Sequence, residues 1–182
     1  MAQPKVILPA KKLHIILNRL CKQLIENHGD FNNTVIIGVQ PRGVFFARKL
    51  MESLQKMLPQ TNILYGDLDV TFYRDDYRHR DAPAIANTTT INFDVEGKKV
   101  ILIDDVFFTG RTIRAAMDAL LDYGRPEKVE LLVLINRRFK RHLPVQPDYI
   151  GYEVDSIQSQ KVKVLWDDDQ KDDKVLMIEK DD

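Results

Sequence analysis

The chain has 182 residues, of which 44% are hydrophobic and 30% are charged, and its 27 basic side chains balance its 27 acidic ones. This length predicts a single domain over 1–182, zero net charge argues against a general binder of polyanions, and Cys21, the only cysteine, excludes an internal disulfide and a cysteine-based zinc site. No apolar run approaches the roughly 20 residues of a membrane-spanning helix, and the N-terminus has no signal-peptide core, so we expect a cytoplasmic protein with no membrane partner.

Predicted elements in the first half of the chain alternate between helix and strand. Apolar residues at helical spacing over 13–24 predict a helix that ends near Gly29. The apolar run 35–39 predicts a buried strand, and 45–57 predicts a second helix. Residues 63–73 alternate weakly in polarity and contain β-branched and aromatic side chains, which predicts a strand.

The second half continues this alternation after a long irregular segment. Residues 74–90 are highly charged and have no periodicity, so we expect a loop of the kind that often acts as a lid. Two further buried strands are predicted on either side of a helix, and three short β-rich runs follow: the strands are 99–103 and 129–135, the helix is 112–123, and the runs are 149–150, 162–166 and 175–178. Continuous apolar strands separated by helices predict an α/β fold with a mainly parallel sheet and a small C-terminal β segment.

One motif in the chain carries the chemistry. Asp104 and Asp105 end a predicted buried strand, and a Thr-Gly-Arg-Thr turn at 109–112 then opens a helix. Ligands bind beyond the carboxyl ends of strands in open parallel sheets. The turn offers backbone N–H groups, two hydroxyls and a helix N-terminus to a phosphate. The adjacent carboxylates can hold ribose hydroxyls, a metal ion, or both.

Three other interpretations of this motif remain open on the residues alone. An apolar strand that ends in Asp is found in P-loop ATPases, but the chain has no G-x-x-x-x-G-K-[ST] sequence. A phospho-receiver domain also has paired acids, although they normally lie near its first strand. The third interpretation is a helix that Asp105 or Thr109 merely caps.

The run 103–112, Ile-Asp-Asp-Val-Phe-Phe-Thr-Gly-Arg-Thr, resembles the signature with which type I phosphoribosyltransferases bind phosphoribosyl pyrophosphate (PRPP). Within them it is most similar to the bifunctional pyrimidine operon attenuation regulator/uracil phosphoribosyltransferase family. Residues 38–43 resemble the pyrophosphate loop of this family, and 73–76 resemble the start of its flexible catalytic loop. Shorter matches follow in order at 118–120, 124–126 and 148–151.

The resemblance implies a fold, a reaction and a cofactor. The fold is a twisted, mainly parallel sheet flanked by helices, with a small hood formed by the N- and C-terminal segments. The reaction converts uracil and PRPP to UMP and pyrophosphate with Mg²⁺. A homodimer or a larger homo-oligomer is the expected assembly.

The resemblance also assigns the residues that bind PRPP. The 5-phosphate is expected to be bound by Thr109, Gly110, Arg111 and Thr112, and pyrophosphate is expected to be bound by Gln40, Pro41, Arg42 and Gly43. Asp104 and Asp105 hold the ribose hydroxyls and the metal, directly or through water. Together with Arg74, which closes over pyrophosphate, they form the expected catalytic group. No catalytic role is assigned to His28, His79 or His142, which lack metal-ligand spacing.

Base selectivity is expected at two positions, Phe108 and Asn136. Purine-salvage relatives typically carry Asp at the position of Phe108, where it accepts a hydrogen bond from the purine ring. The pyrimidine family usually carries Tyr there, so Phe keeps the ring and favours uracil. Asn136 stands where the family usually has Asp.

A second activity of the family is the binding of a leader RNA hairpin, and it gives the alternative function: a UMP-responsive attenuation regulator. The basic cluster that would contact RNA comprises Arg137, Arg138, Lys140 and Arg141. A solvated face is the simpler interpretation of that cluster. Tyr152 replaces a family Lys and 155–157 replace a Pro-Thr-Ser, which removes polar or basic groups, so the enzyme ranks first.

The Gln40–Pro41 bond is predicted to be cis. Related transferases often have a cis peptide at the matching point of the pyrophosphate loop. A cis bond before a non-proline residue costs about 2.5–4 kcal/mol, whereas an X-Pro bond lowers the penalty to about 0.5–1 kcal/mol.

Overall fold

The computed structural model describes residues 4–75, 86–139, 141–157, 159–167 and 172–179. Two predicted features therefore lie outside the described residues: most of the expected loop, at 76–85, and Lys140 of the basic cluster. None of the helices in the described ranges is long and apolar enough to cross a membrane.

Strands and helices follow the predicted order closely. They are β1 (Lys5–Leu8), α1 (Ala10–His28), β2 (Thr34–Val39), α2 (Gly43–Met57), β3 (Leu64–Leu68), β4 (Lys99–Phe107), α3 (Arg111–Leu120), β5 (Lys128–Arg137), β6 (Tyr149–Val154), β7 (Gln160–Leu165) and β8 (Lys174–Glu179). Short 3-10 turns occupy Thr71–Tyr73 and Leu121–Tyr123.

The strand predicted over 63–73 is wrong in its second half. β3 ends at Leu68, and the backbone N–H of Thr71 donates to the Asp69 carboxylate at 2.5 Å. When an Asp side chain accepts a nearby backbone N–H, it stabilises a local turn and competes with the hydrogen bonds of a β-sheet. The Thr and aromatic side chains of 71–73 therefore lie in a 3-10 turn.

Two sheets form the frame. The larger sheet has five parallel strands in the order β3-β2-β4-β5-β6, and the smaller is antiparallel in the order β1-β8-β7. β6 was predicted as part of a C-terminal β segment, but it joins the parallel sheet beside β5. The predicted fold class, a mainly parallel α/β sheet with additional C-terminal β structure, is confirmed.

The hydrophobic core lies on both faces of the parallel sheet. One cluster joins α1, α2 and the smaller sheet, and it includes the fully buried Leu24 and Phe46. The other joins the opposite face to α3, and it includes Leu102 and Ala116. Strands covered on both faces are expected to be continuously apolar, as they are here.

A buried polar network closes the amino-terminal end of the sheet. The His28 ring nitrogens lie 3.1 Å from Thr34 Oγ1 and 2.9 Å from Glu130 Oε2, and the Tyr149 hydroxyl donates to the same carboxylate oxygen at 2.9 Å. Burial lowers the pKa of His28, and this effect outweighs the Glu130 carboxylate, which raises it. His28 thus lies at the opposite end of the strands from Asp104.

This network predicts that His28 contributes stability that is lost in mild acid. Because the folded pKa of His28 lies below its unfolded value, the unfolded chain takes up the proton first as the pH falls through about 6.5. From about pH 7.5 to about pH 5, the free energy of unfolding of wild type in urea should therefore fall relative to that of His28→Gln, a comparison in which the opposite contribution of the buried acid pair cancels. The exposed His142→Gln should keep the pH dependence of wild type. An identical slope in wild type and His28→Gln would exclude His28 as the cause.

Close contact between α2 and β4 sets the geometry of the carboxyl end of the sheet. A Cβ atom on Gly43, the first residue of α2, would lie 2.4 Å from the Ile103 carbonyl oxygen and 3.0 Å from Asp104 Cα. Only glycine permits this approach of helix to strand. The start of α2 is therefore pressed directly against the strand that carries the acid pair.

Gly43→Ala is expected to destabilise the fold by about 1–3 kcal/mol, the usual cost of forcing extra volume into a packed contact. Thermal unfolding measures the effect. Lys56→Ala, on the exposed part of the same helix, serves as the control and should change the midpoint little. A Gly43→Ala midpoint equal to that of wild type would show that the helix moves away at no cost.

Candidate active site

Four segments converge at the carboxyl end of the parallel sheet. The turn 40–43 follows β2, Asp104 and Asp105 lie near the end of β4, and the turn 109–112 leads from β4 into α3. The segment after β3 brings Arg74 to the same place, where its Nη1 donates to Thr112 Oγ1 at 3.2 Å. The structure thus brings together the predicted catalytic group of Asp104, Asp105 and Arg74.

The acid pair is buried, and nearby cations balance only part of its negative charge. Asp104 and Asp105 are 8% and 5% exposed, and the Asp105 N–H donates to Asp104 Oδ1 at 2.9 Å. Burial raises the pKa of Asp104 well above its usual range, the Asp105 charge raises it further, and Arg74 opposes both effects. Burial also raises the pKa of Asp105, against the lowering effect of Arg42. Such carboxylates become fully ionised when a further cation arrives.

The turn 109–112 has the form of a phosphate cradle. Gly110 has φ of 91°, a conformation that favours glycine, and it directly precedes α3. A cavity of about 210 Å³ is lined by Arg74, Asp104, Val106, Phe107, Phe108, Thr109, Gly110, Thr112 and Ile113. The Arg111 side chain points elsewhere, because it pairs with Asp75. Its backbone N–H remains part of the turn, 3.4 Å from Thr109 Oγ1.

The predicted pyrophosphate loop lies between this turn and the smaller sheet. The Gln40–Pro41 bond is cis, which confirms that prediction. The Gln40 amide donates to the Thr88 carbonyl at 2.7 Å, so the loop is tied to the segment that returns from 76–85. Arg42 and Asp105 line a second cavity, of about 560 Å³.

The far wall of this second cavity was not predicted from the sequence. It comes from β7 and the residues after it, including Lys163 and Trp166, with Lys49 of α2 beside them. The Trp166 ring stacks on Phe46 with centroids 6.0 Å apart. These residues have no motif spacing, and only the folding of the smaller sheet against α2 brings them to the site.

The two residues predicted to contact the base are separated. Phe108 lines the cavity that contains Asp104, whereas Asn136 lines a neighbouring cleft with Arg141 and Glu153. Asn136 Nδ2 donates to Glu153 Oε1 at 3.1 Å, and its Oδ1 accepts from Arg141 Nη2 at 2.8 Å. Phe108 therefore lines the cavity of the turn 109–112 and Asn136 lines the neighbouring one, but Arg141 links them because it also donates to the Phe108 carbonyl.

The arginines of the basic cluster are engaged within the chain. Arg137 is buried and donates to Ser156 Oγ at 2.7 Å, and Arg138 makes a two-pronged ion pair with Asp155 at 2.6 and 2.7 Å. The Arg141 guanidinium lies 3.6 Å from the Phe107 ring centroid and donates to the Phe108 carbonyl. The interpretation of this cluster as a solvated face is wrong for Arg137, whose charge is buried against the Phe108 ring and two backbone carbonyl groups.

The acid pair also fits the metal that the resemblance implies. Within the described residues, no three or more His, Cys, Asp or Glu side chains are grouped to form a protein cage for a metal. Mg²⁺ usually keeps several waters and takes one or two carboxylates together with substrate phosphates. Asp104 and Asp105 next to a phosphate cradle provide such a donor set.

Comparison with known proteins identifies the family of the chain. The family model for a phosphoribosyl transferase domain matches residues 5–169. The Bifunctional protein PyrR of Desulfosudis oleivorans is 42% identical over 171 residues, which cover 94% of each chain. The Bifunctional protein PyrR of Bacillus subtilis is 37% identical over 182 residues, which cover 98% of this chain and 99% of that one.

A solved structure shares the fold at lower sequence similarity. The hypoxanthine phosphoribosyltransferase of Trypanosoma cruzi superposes with a TM-score of 0.71 at 15% identity, over 97% of each chain. The chain belongs to the type I phosphoribosyltransferase family and, within it, to the group of bifunctional PyrR proteins.

Proposed function

We propose that this protein transfers the phosphoribosyl group of PRPP to uracil and forms UMP and pyrophosphate. The observation that carries the proposal is the buried Asp104–Asp105 pair: Asp104 lines one cavity with the turn 109–112 and the Phe108 ring, and Asp105 lines a second cavity with Arg42. A sugar phosphate fits both groups together. Its anionic phosphate binds the N–H groups of the turn, and its hydroxyls donate hydrogen bonds to the carboxylates.

Different residues of the chain bind different parts of the substrate. The backbone N–H groups and hydroxyls of the turn 109–112 bind the 5-phosphate, and Asp104 and Asp105 accept hydrogen bonds from the ribose hydroxyls. Arg42 and Arg74 neutralise pyrophosphate from two sides. Mg²⁺, when bound, supplies further positive charge to the leaving group.

The reaction needs positioning more than covalent chemistry. The bond between ribose C1 and the pyrophosphate oxygen breaks with its electron pair leaving on pyrophosphate, and the sugar takes on oxocarbenium character. N1 of uracil then bonds to C1, and the N1 proton passes to solvent. Fixed charges around the leaving group act on the transition state without reorganising, which is the main source of catalysis in such sites. Phe108 supplies a ring surface and no hydrogen-bond acceptor, which favours a pyrimidine over a purine.

A parallel assay tests this proposal directly. Formation of nucleotide from PRPP and Mg²⁺ is measured with uracil, hypoxanthine, guanine, adenine and orotate. Uracil should give the highest kcat/KM. A purine preference would contradict the role of Phe108, and no turnover with any base would contradict the enzyme.

The alternative function is UMP-responsive RNA binding, and the similarity to proteins named bifunctional favours it as a second activity. Filter binding to a structured RNA hairpin over a salt series, with and without UMP, measures it. Since Arg137 and Arg141 bind groups of their own chain and the exposed Arg138 is paired with Asp155, the cluster alone should give only weak, salt-sensitive binding. Specific affinity enhanced by UMP would raise regulation to equal rank with catalysis.

Asp104→Asn is expected to lower kcat by about 10²–10³-fold, the usual cost of removing one preorganised charged group. The same variant should be more stable than wild type at about pH 8. Since the folded pKa of Asp104 is raised, its contribution to stability is present below the unfolded pKa and is lost as pH rises through the folded pKa. Asn removes the buried charge and keeps an oxygen that accepts from the Asp105 N–H.

Steady-state kinetics and thermal unfolding over a pH series measure both effects. The gain in stability should shrink as the pH falls and wild-type Asp104 takes up its proton. Asp118→Asn, an exposed acid of α3 that pairs with Arg114, is the control and should change neither quantity appreciably. Near-wild-type kcat in Asp104→Asn would remove Asp104 from the catalytic group.

A further inference from the structure

Asp69 joins the two described segments that flank 76–85. It follows β3 and is half-buried. One oxygen of its carboxylate accepts the Thr71 N–H at 2.5 Å, and the other accepts the Asn87 N–H. The Asp69 N–H donates in turn to Thr89 Oγ1 at 3.0 Å. A single residue therefore connects the segment that leaves β3 with the segment that returns towards β4.

The returning segment is attached to the parallel sheet. The Gln40 amide donates to the Thr88 carbonyl at 2.7 Å, and Thr90 and Asp67 exchange backbone hydrogen bonds at 2.8 and 3.4 Å. These contacts fasten 87–90 to β3 and to the predicted pyrophosphate loop. Asp69 thus ties the outgoing segment to a part of the chain that is already held in place.

The outgoing segment carries Arg74 into the active site. Thr71 begins a 3-10 turn that ends at Tyr73, and Arg74 follows directly. Arg74 Nη1 donates to Thr112 Oγ1 at 3.2 Å. Burial raises the pKa of Asp104, and the Arg74 charge opposes that effect. Because the turn is so short, a displacement of the Thr71 backbone moves Arg74 as well.

Contacts with α3 hold the other end of this turn. Arg114 Nη2 donates to the Tyr73 carbonyl at 3.1 Å, and the Tyr73 hydroxyl donates to the Asp122 carboxylate. Arg114 belongs to α3, and Asp122 lies in the 3-10 turn that follows it. These residues fix the end of the turn next to Arg74, and Asp69 fixes its beginning.

The Asp69 carboxylate is ionised for this role. Burial raises the pKa of Asp69, but the hydrogen bonds from Thr71 and Asn87 outweigh burial and hold the pKa below its usual value. An ionised carboxylate accepts backbone N–H groups more strongly than a neutral oxygen does. The two hydrogen bonds therefore restrain the backbone on both sides of 76–85 at neutral pH.

We propose that Asp69 is a positioning residue that holds Arg74 against the pyrophosphate of PRPP through the Thr71–Tyr73 turn. This inference rests on the proposed function and adds a residue that lies outside both cavities of the acid pair. The charge of Arg74 stabilises the leaving group best if it is in place before the bond to ribose C1 breaks. A displacement of about 1 Å in such a group can cost about 100-fold in rate.

A double-mutant cycle with Arg74 tests this role. Asp69→Ala removes both acceptor oxygens and should lower kcat/KM for PRPP by about 100-fold. Because Asp69 acts through Arg74, the same substitution made in Arg74→Ala should lower the remaining kcat/KM by no more than about twofold. The Kd of PRPP with Mg²⁺, measured by calorimetry, completes the cycle if Arg74→Ala has too little turnover. Asp69→Ala should then raise the Kd in wild type and leave it unchanged in Arg74→Ala.

Asp94→Ala is the matched control. Asp94 Oδ1 accepts the Glu96 N–H at 2.9 Å, so its carboxylate also fixes a local turn, but this turn precedes β4 and lies at the opposite end of that strand from Asp104. Its kcat/KM should equal that of wild type. Asp69→Asn keeps one acceptor oxygen and should lose less activity than Asp69→Ala. Thermal unfolding checks that each variant is folded.

The possible results distinguish this inference from the proposed function. Equal losses from Asp69→Ala in wild type and in Arg74→Ala, or no loss in wild type, would overturn the role of Asp69 while turnover by wild type upholds the transferase. If Asp69→Ala does not fold, Asp69→Asn takes its place in the cycle and the same results decide. Wild-type protein that turns over no base would overturn the proposed function and this inference together.

Discussion

The burial of two adjacent carboxylates at the end of one strand is the constraint on which the site depends. Asp104 and Asp105 have raised pKa values because the sheet, α2 and the neighbouring turns exclude water from them. Such a pair costs folding free energy, and the chain offsets part of that cost with cations from other segments. Arg42 directly precedes α2 and Arg74 follows β3, so each acid meets a cation that only the folded chain supplies.

The parallel sheet is what makes that arrangement available. Strands β2, β3 and β4 run in the same direction, so the segments that follow them emerge at one edge. Gly43 then lets α2 start in direct contact with β4, which keeps Arg42 close to Asp105. The amino-terminal edge has a different role, since its polar groups around His28 satisfy one another.

Local patterns were sufficient to predict the helices, most strands and the turn 109–112 that leads into α3. The helical spacing over 13–24 and the apolar run 35–39 indicate which side chains are buried. The Asp-Asp motif and its Thr-Gly-Arg-Thr turn lie within a few consecutive residues, so they can be recognised without knowledge of the fold. The errors arose where a distant or side-chain contact decided the outcome. Asp69 ends β3 early by capturing the Thr71 N–H, and β6 joins β5 because of packing that its own short sequence does not encode.

The basic cluster shows most clearly why charge patterns are hard to interpret from sequence. A run of arginines after β5 looks like a surface for a polyanion, yet two of them lie on the adjacent rings of Phe107 and Phe108. Arg141 reaches Phe107 and Arg137 reaches Phe108, so the segment after β5 is fastened to the turn that follows β4. The His142 N–H reinforces this link by donating to the Thr109 carbonyl at 3.0 Å. The carboxyl end of β5 and the turn 109–112 are therefore joined by these contacts, and a change in one of the two arginines should affect both segments.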